Sequence, residues 1–178
     1  MLKDSLSEHI YRKLSEGIQT SRHPYNFASL ATNIQRSSYQ RMVVIRGIKE
    51  NIIRFYTDSR SSKVVQLRTN PKASLLFYDY KEMEQISLTG TVSICEDFND
   101  AIWKDIPRRS YRDYTATMVP GSLVASPTSI VYNSQEPYFC CLEFQFQSID
   151  YLSINRECNT RIKAQYQNNQ WKASYVVP

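Results

Sequence analysis

Glycine is scarce in this chain: Gly17, Gly47, Gly90 and Gly121 are the only four in 178 residues. Neither a G-x-G-x-x-G turn nor a G-x-x-x-x-G-K-[ST] loop can be written from them, which excludes a Rossmann or Walker-type phosphate cradle. Histidine is scarcer still, limited to His9 and His23. That leaves little material for a Ser-His-Asp relay or a zinc site, and no metal is expected. The cysteines, Cys95, Cys140, Cys141 and Cys158, include no C-x-x-C pair. On a strand the adjacent Cys140 and Cys141 point to opposite faces, so reduced thiols, mostly in the core, are expected. No run approaches the roughly 20 apolar residues of a membrane span. The opening "MLKDSLSEHIYRKLSEG" alternates charge with single apolar residues where a secretory signal would carry an apolar stretch. The expectation is a cytoplasmic protein with no membrane association. Charge of one sign is also modest: Lys+Arg 22 against Asp+Glu 17 gives +5. This favours an anionic partner without separating nucleic acid from a phosphorylated small molecule.

What is present is apolar content of 42% over 178 residues, enough for a substantial core, with no composition shift that would divide the chain. Residues 1–178 are therefore read as one domain. Leu6, Ile10, Leu14 and Ile18 recur every four residues, with Asp4 or Ser5 as N-cap, and predict an amphipathic helix from about residue 4 to 19. Strands are predicted at "FASLAT", "RMVVIRGI" and "NIIRFYT", the last two joined by a turn around Lys49 to Asn51. A short helix over Ser61 to Arg68, capped by Asp58 or Ser59, stops at Asn70-Pro71. "ASLLFYDY" and "QISLTGTVSI" make a hairpin across "KEME", and a second short helix covers Asn99 to Asp105. After a Pro/Ser-rich loop, "YFCCLEFQFQ", "SIDYLSI", "RIKAQYQ" and "QWKASYVV" are read as separate final strands. Many short strands with helices at the edges predict an α+β, mainly β chain built on a closed or half-closed antiparallel barrel.

The stretch "RFYTDSRSSKVVQLRTNP" begins as an apolar strand, breaks into polar residues and resumes as a helix. Thr57, Ser59, Ser61 and Ser62, with Arg60 and Lys63, gather hydroxyls and cations at that helix start. Such a set suits an anion, and equally a solvated helix terminus. Arg41 and Arg46, five apart in "RMVVIR", fall on opposite faces of a regular strand. One can reach an anion beside the helix, or both can face water. Arg108, Arg109 and Arg112 interleave with Tyr111 and Tyr114. A surface for single-stranded nucleic acid, a solvated connector and a substrate-facing lid all fit that pattern; no nucleic-acid partner is expected.

"RMVVIRG", "FYTDSRSSK", "LRTNPKASLLFY" and "EQISLTGTV" occur in that order, at spacings that resemble the pyridoxamine 5′-phosphate oxidase family of FMN-binding split β-barrels. The resemblance covers most of the chain. It implies FMN as cofactor, with Arg41, Met42, Val43, Val44 and Arg46 lining the flavin and its phosphate and Tyr56 and Thr57 beside them. Lys63 matches the family's phosphate-binding lysine. Ser61-Ser62-Lys63 stands where the pattern has Ser-Arg-Lys, so one guanidinium is missing and Ser62 or Arg60 is expected in its place. Gln85 matches the glutamine that hydrogen-bonds the isoalloxazine ring, and Arg161 an arginine contributed by the neighbouring subunit, which implies a homodimer. Pro120-Gly121-Ser122 is placed near the ligand. The family's aromatic residue near the ring aligns with Leu152.

At the substrate phosphate, the family pattern of Tyr, Arg and Ser corresponds here to Ile102, Ile106 and Ser110, and the C-terminal Arg-x-His element has no histidine. The resemblance therefore implies an FMN-dependent oxidoreductase acting on some other small molecule, with Ser110 and Arg108 facing it. A genuine pyridoxamine or pyridoxine 5′-phosphate oxidase and a non-catalytic flavin store or sensor are the alternatives.

Overall fold

A computed structural model describes residues 2, 5–20, 22–95 and 99–178. The alternating segments form eight antiparallel strands: β1 Phe27–Ile34, β2 Ser37–Lys49, β3 Ile52–Asp58, β4 Lys72–Asp79, β5 Glu84–Cys95, β6 Phe139–Ser153, β7 Thr160–Gln167 and β8 Gln170–Val176. Neighbours run β3-β2-β1-β4-β5-β6-β7-β8, and a further β3–β6 pairing closes the first six into a barrel. β7 and β8 extend the sheet beyond it. The expected α+β, mainly β split barrel with flanking helices is borne out.

Among the described residues three α-helices flank the strands. α1, Leu6–Gln19, sends Leu6, Ile10, Leu14 and Gly17 inward, and the three apolar side chains join the barrel core. Its N-cap is Ser5, without a side-chain cap bond; Asp4 lies outside the described residues. α2, Ser62–Thr69, follows β3, and α3 spans Asn99–Asp105. The α2 cap corrects the sequence expectation, because it is Ser61 and not Asp58 or Ser59. Asp58 instead turns its carboxylate onto the Arg60 amide and side chain.

The segments "YFCCLEFQFQ" and "SIDYLSI" are one continuous strand, β6, and not two. The polar break at Gln147-Ser148 is a bulge. Thr89 pairs with Ser148 but Gly90 pairs with Phe146, leaving Gln147 as the extra residue. Gly90 is what lets the strands close around it: a Cβ there would lie 2.0 Å from the Gln145 carbonyl oxygen and 2.7 Å from the Phe146 Cα. Both are backbone atoms that cannot swing aside. Gly90→Ala is expected to lower the unfolding free energy by about 1–3 kcal/mol, read by urea denaturation; an unchanged midpoint would show that the bulge relaxes freely.

The two faces of β6 serve different clusters. Cys140 joins the barrel core, and Cys141 joins a second cluster with Ile106, Tyr114 and Phe139 on the outside of the wall. This is the opposite-face placement expected from adjacency.

Candidate functional site

Two cavities share a wall on that outer side. The first, about 280 Å³, is lined by Met42, Val43 and Val44 of β2, Tyr56 and Thr57 of β3, and Ser61 and Lys63 at the start of α2. The second, about 340 Å³, is lined by Ile102, Ile106, Arg109, Ser110 and Arg54. Arg46, Tyr56 and Tyr114 belong to both.

A break in strand register puts Arg46 there. Ile45 pairs with Phe55 but Gly47 pairs with Arg54, so Arg46 is a bulge residue and is aimed towards Tyr56 and Tyr114. Arg41, by contrast, does not line the cavity as the resemblance implied. It keeps the phase of the buried Val43 and Ile45, and its guanidinium donates to Thr32 Oγ1 at 2.6 Å and Gln66 Oε1 at 2.7 Å. Those two groups hold it behind Lys63.

The polar end of the first cavity is cationic. Lys63 Nζ donates to Thr57 Oγ1 at 2.8 Å, and Thr57 Oγ1 lies 3.3 Å from Ser61 Oγ. Burial holds the Lys63 ammonium below the ordinary lysine range, and the charge of Arg41 pushes it further the same way. Asp58, which lines this cavity together with Asp113, pairs with Arg60, with NH2 2.8 Å from Oδ2. Arg60 also donates to the Ala116 and Thr117 carbonyls and stacks on Tyr138 at 3.2 Å. It is therefore a brace for the 116–118 loop, not the substitute for the missing guanidinium. Ser62 does not fill that place either: it is exposed and does not line the cavity. Lys63 and Arg41, drawn together under burial, form a site whose charge an anion would relieve.

The remaining expected residues lie elsewhere in the chain. Gln85 pairs with Leu152, and Leu152 pairs with Arg161, so these three stand in one row across β5, β6 and β7. Arg161 is fixed by Asp150, with Nε 2.9 Å from Oδ1 and NH2 2.8 Å from Oδ2, which holds the Asp150 carboxyl below its usual range. Tyr56 of the first cavity pairs with Cys141, at the opposite end of β6 from Leu152. That separation is roughly 35 Å of strand at about 3.3 Å per residue. Gln85 and Arg161 are thus not brought to the cavity within one chain.

Pro120, in the loop that the resemblance places near the ligand, lines the first cavity together with Asp113 and Tyr114, for which the sequence gives no cofactor signal. They arrive on the 3-10 segment Arg108–Tyr114 and the loop after it, pinned by the Tyr138 N–H donating to the Tyr114 carbonyl and by the Ala116–Tyr132 bridge. Burial raises the Tyr114 hydroxyl above its ordinary range. On the second cavity Arg109, not the expected Arg108, lines the wall, and both side chains are exposed. Trp103 stacks on Tyr111 with ring centres 4.2 Å apart, which packs this segment against α3.

Residues 3–96, just over half of the chain, match the model of the pyridoxamine 5′-phosphate oxidase FMN-binding domain. The chain belongs to this family. FMN is the cofactor of the pyridoxamine 5′-phosphate oxidase FMN-binding domain, and the hydroxyl- and cation-lined pocket beside an apolar β2 wall fits a flavin phosphate and its ring. A pyridoxine/pyridoxamine 5′-phosphate oxidase of Leptospira biflexa is 29% identical over 127 residues, 70% of this chain and 54% of that protein. One of Legionella pneumophila is 29% identical over 98 residues, 53% of this chain and 45% of that protein. The chain spans about half the length of the curated relatives it matches. Among solved structures, a pyridoxamine 5′-phosphate oxidase-related, FMN binding protein from Nostoc punctiforme superposes with a TM-score of 0.77 at 21% identity, covering 98% of this chain and 96% of the other. PhzG from Burkholderia lata, solved with tetrahydrophenazine-1-carboxylic acid, gives 0.80 at 17% identity, covering 99% and 93%. These likenesses establish the split-barrel fold.

Proposed function

We propose that residues 1–178 act as one FMN-dependent oxidoreductase domain whose site is completed across a homodimer. Lys63, Thr57 and Ser61, backed by Arg41, hold the phosphate. Met42, Val43 and Val44 flank the ring with Tyr56, and Arg46 reaches its polar edge. The partner subunit's Gln85 and the partner subunit's Arg161 meet the ring from the other side. The observation that carries this reading is the crowded Lys63–Arg41 pair beside an apolar wall, with Asp58 already committed to Arg60. When bound, FMN supplies reversible uptake of two electrons, and the protein supplies orientation and hydrogen bonds.

The second cavity supports turnover over mere storage, since it opens beside the flavin wall through Arg46, Tyr56 and Tyr114. Its lining argues against a pyridoxamine 5′-phosphate oxidase. Ile102 and the buried Ile106 stand where charge-assisted contacts to a phosphate dianion are needed, and apolar side chains do not offset its desolvation. An apolar body carrying one anionic group near Arg46 and Arg109 fits better. Incubating FMN-loaded protein with pyridoxamine 5′-phosphate in air is expected to yield little pyridoxal 5′-phosphate or peroxide. Turnover of about 1 per second or more would overturn this assignment. Stopped-flow mixing with NADH or NADPH separates a reductase from an inert binder.

The shared site makes a second prediction. Arg161→Ala is expected to weaken FMN severalfold while leaving the barrel folded, and sedimentation of the native protein at micromolar concentration is expected to give a dimer. A monomer that binds FMN tightly would contradict the shared site.

A further inference from the structure

Cys95 of β5 stands directly opposite Cys141 of β6, and Cys141 directly opposite Tyr56 of β3. Residues paired in this way share a face of the sheet. Tyr56 and both sulfurs accordingly pack in the outer cluster with Ile106, Tyr114 and Phe139. Each thiol lies within electrostatic reach of the other. Directly opposed antiparallel residues have Cα atoms about 4.5–5.5 Å apart, inside the roughly 4.4–6.8 Å that a disulfide spans. Neither cysteine is in a disulfide.

We propose that Cys95 and Cys141 form an oxidisable dithiol beside Tyr56, a redox-modification site that closes to a cross-strand disulfide when the protein meets a hydroperoxide. The Cys95 thiolate attacks a peroxide oxygen and the O–O bond breaks, giving Cys95 sulfenic acid and, after protonation of the leaving oxygen, an alcohol, or water when the oxidant is hydrogen peroxide. The Cys141 sulfur then attacks the Cys95 sulfur, and the displaced hydroxide takes up the Cys141 proton as water. The thiols together lose two electrons, and the peroxide oxygens gain them. Cys95 is the attacking group because it is half-buried, whereas Cys141 is fully buried. Burial raises both thiols, with the Glu143 carboxylate adding to the effect at Cys95, and Cys141 is pushed up to about 12. The bridge therefore forms slowly at neutral pH and faster in alkali.

This site rests on strand register and not on the identity of the flavin or substrate. It also has internal controls: Cys140 faces the barrel core, and Cys158 is exposed in the connection between β6 and β7. The experiment treats the full native chain with hydrogen peroxide, quenches it, alkylates under denaturing conditions, and reads intact mass and peptide maps. The expected product has lost two hydrogens and two alkylation sites, carries a 95–141 peptide link, and returns to the dithiol with dithiothreitol. Its rate should rise about tenfold per pH unit below the Cys95 pKa. Cys95→Ser should abolish the link and Cys158→Ser should leave it intact. Full alkylation of Cys95 after peroxide, a link that involves Cys158, or a Cys95 sulfinic acid with Cys141 still free would overturn the proposal.

Discussion

Glu84→Gln is expected to lower the unfolding free energy by about 3–5 kcal/mol, the cost of leaving one member of a buried ion pair without its partner. Glu84 is buried at the start of β5 and gathers three donors from three other elements: the Lys13 ammonium of α1, the Tyr25 hydroxyl at 2.9 Å and the Tyr151 hydroxyl of β6 at 2.6 Å. The amide keeps the shape and removes the charge, which leaves the Lys13 ammonium, itself mostly buried, uncompensated. Adding Lys13→Met should recover part of the loss, because an apolar group then fills the place of the stranded cation. Urea denaturation measures both variants, and a loss below about 1 kcal/mol would show that the pair behaves like a surface contact.

The same network sets a pH dependence. Burial by itself raises the Glu84 carboxyl, but the hydrogen bonds from Lys13, Tyr151 and Tyr25 outweigh it and hold the group below its ordinary value of 4.5. A carboxylate depressed on folding contributes stability that is complete above its unfolded value and is lost as pH falls through its folded one. The wild-type chain should therefore lose stability below about pH 4.5, and Glu84→Gln should show a shallower decline over that range.

Lys63→Ala is expected to weaken FMN by about 1.5–3 kcal/mol, the range for a hydrogen bond to a charged group, which is roughly 10- to 150-fold in Kd. Riboflavin, which lacks the phosphate, should bind almost as well to the variant as to the native chain. The contrast separates a phosphate ligand from a support of the fold. The ammonium bonds Thr57 and shares its surroundings with Arg41, so its removal also relieves a like-charge contact. Equal losses for FMN and riboflavin would place Lys63 among the structural residues.

Local patterns were legible wherever neighbouring residues in the chain become neighbours in space. The α1 stripe, the β2–β3 hairpin and the hydroxyl-rich handover from β3 to α2 are of that kind, and Met42, Val43, Val44, Tyr56, Thr57, Ser61 and Lys63, which the family resemblance groups together, line one cavity. Arg41 missed the wall because Thr32 and Gln66, each remote in sequence, compete for its guanidinium. Arg60 was captured by Asp58, two residues away, and by the Tyr138 ring, a partner no local pattern reveals. The long β6 strand was divided at Gln147 because a polar residue in a bulge looks like a turn until the glycine opposite it is known. Asp113 and Tyr114 reach the site by tertiary return of an irregular segment, which leaves no periodic signature.

The most direct test of the account is an absorbance spectrum of the purified full chain, followed by titration with FMN. A yellow protein is expected, or a colourless one that takes up added FMN noncovalently at micromolar concentration and releases it on denaturation. A colourless protein with no binding in that range would contradict it.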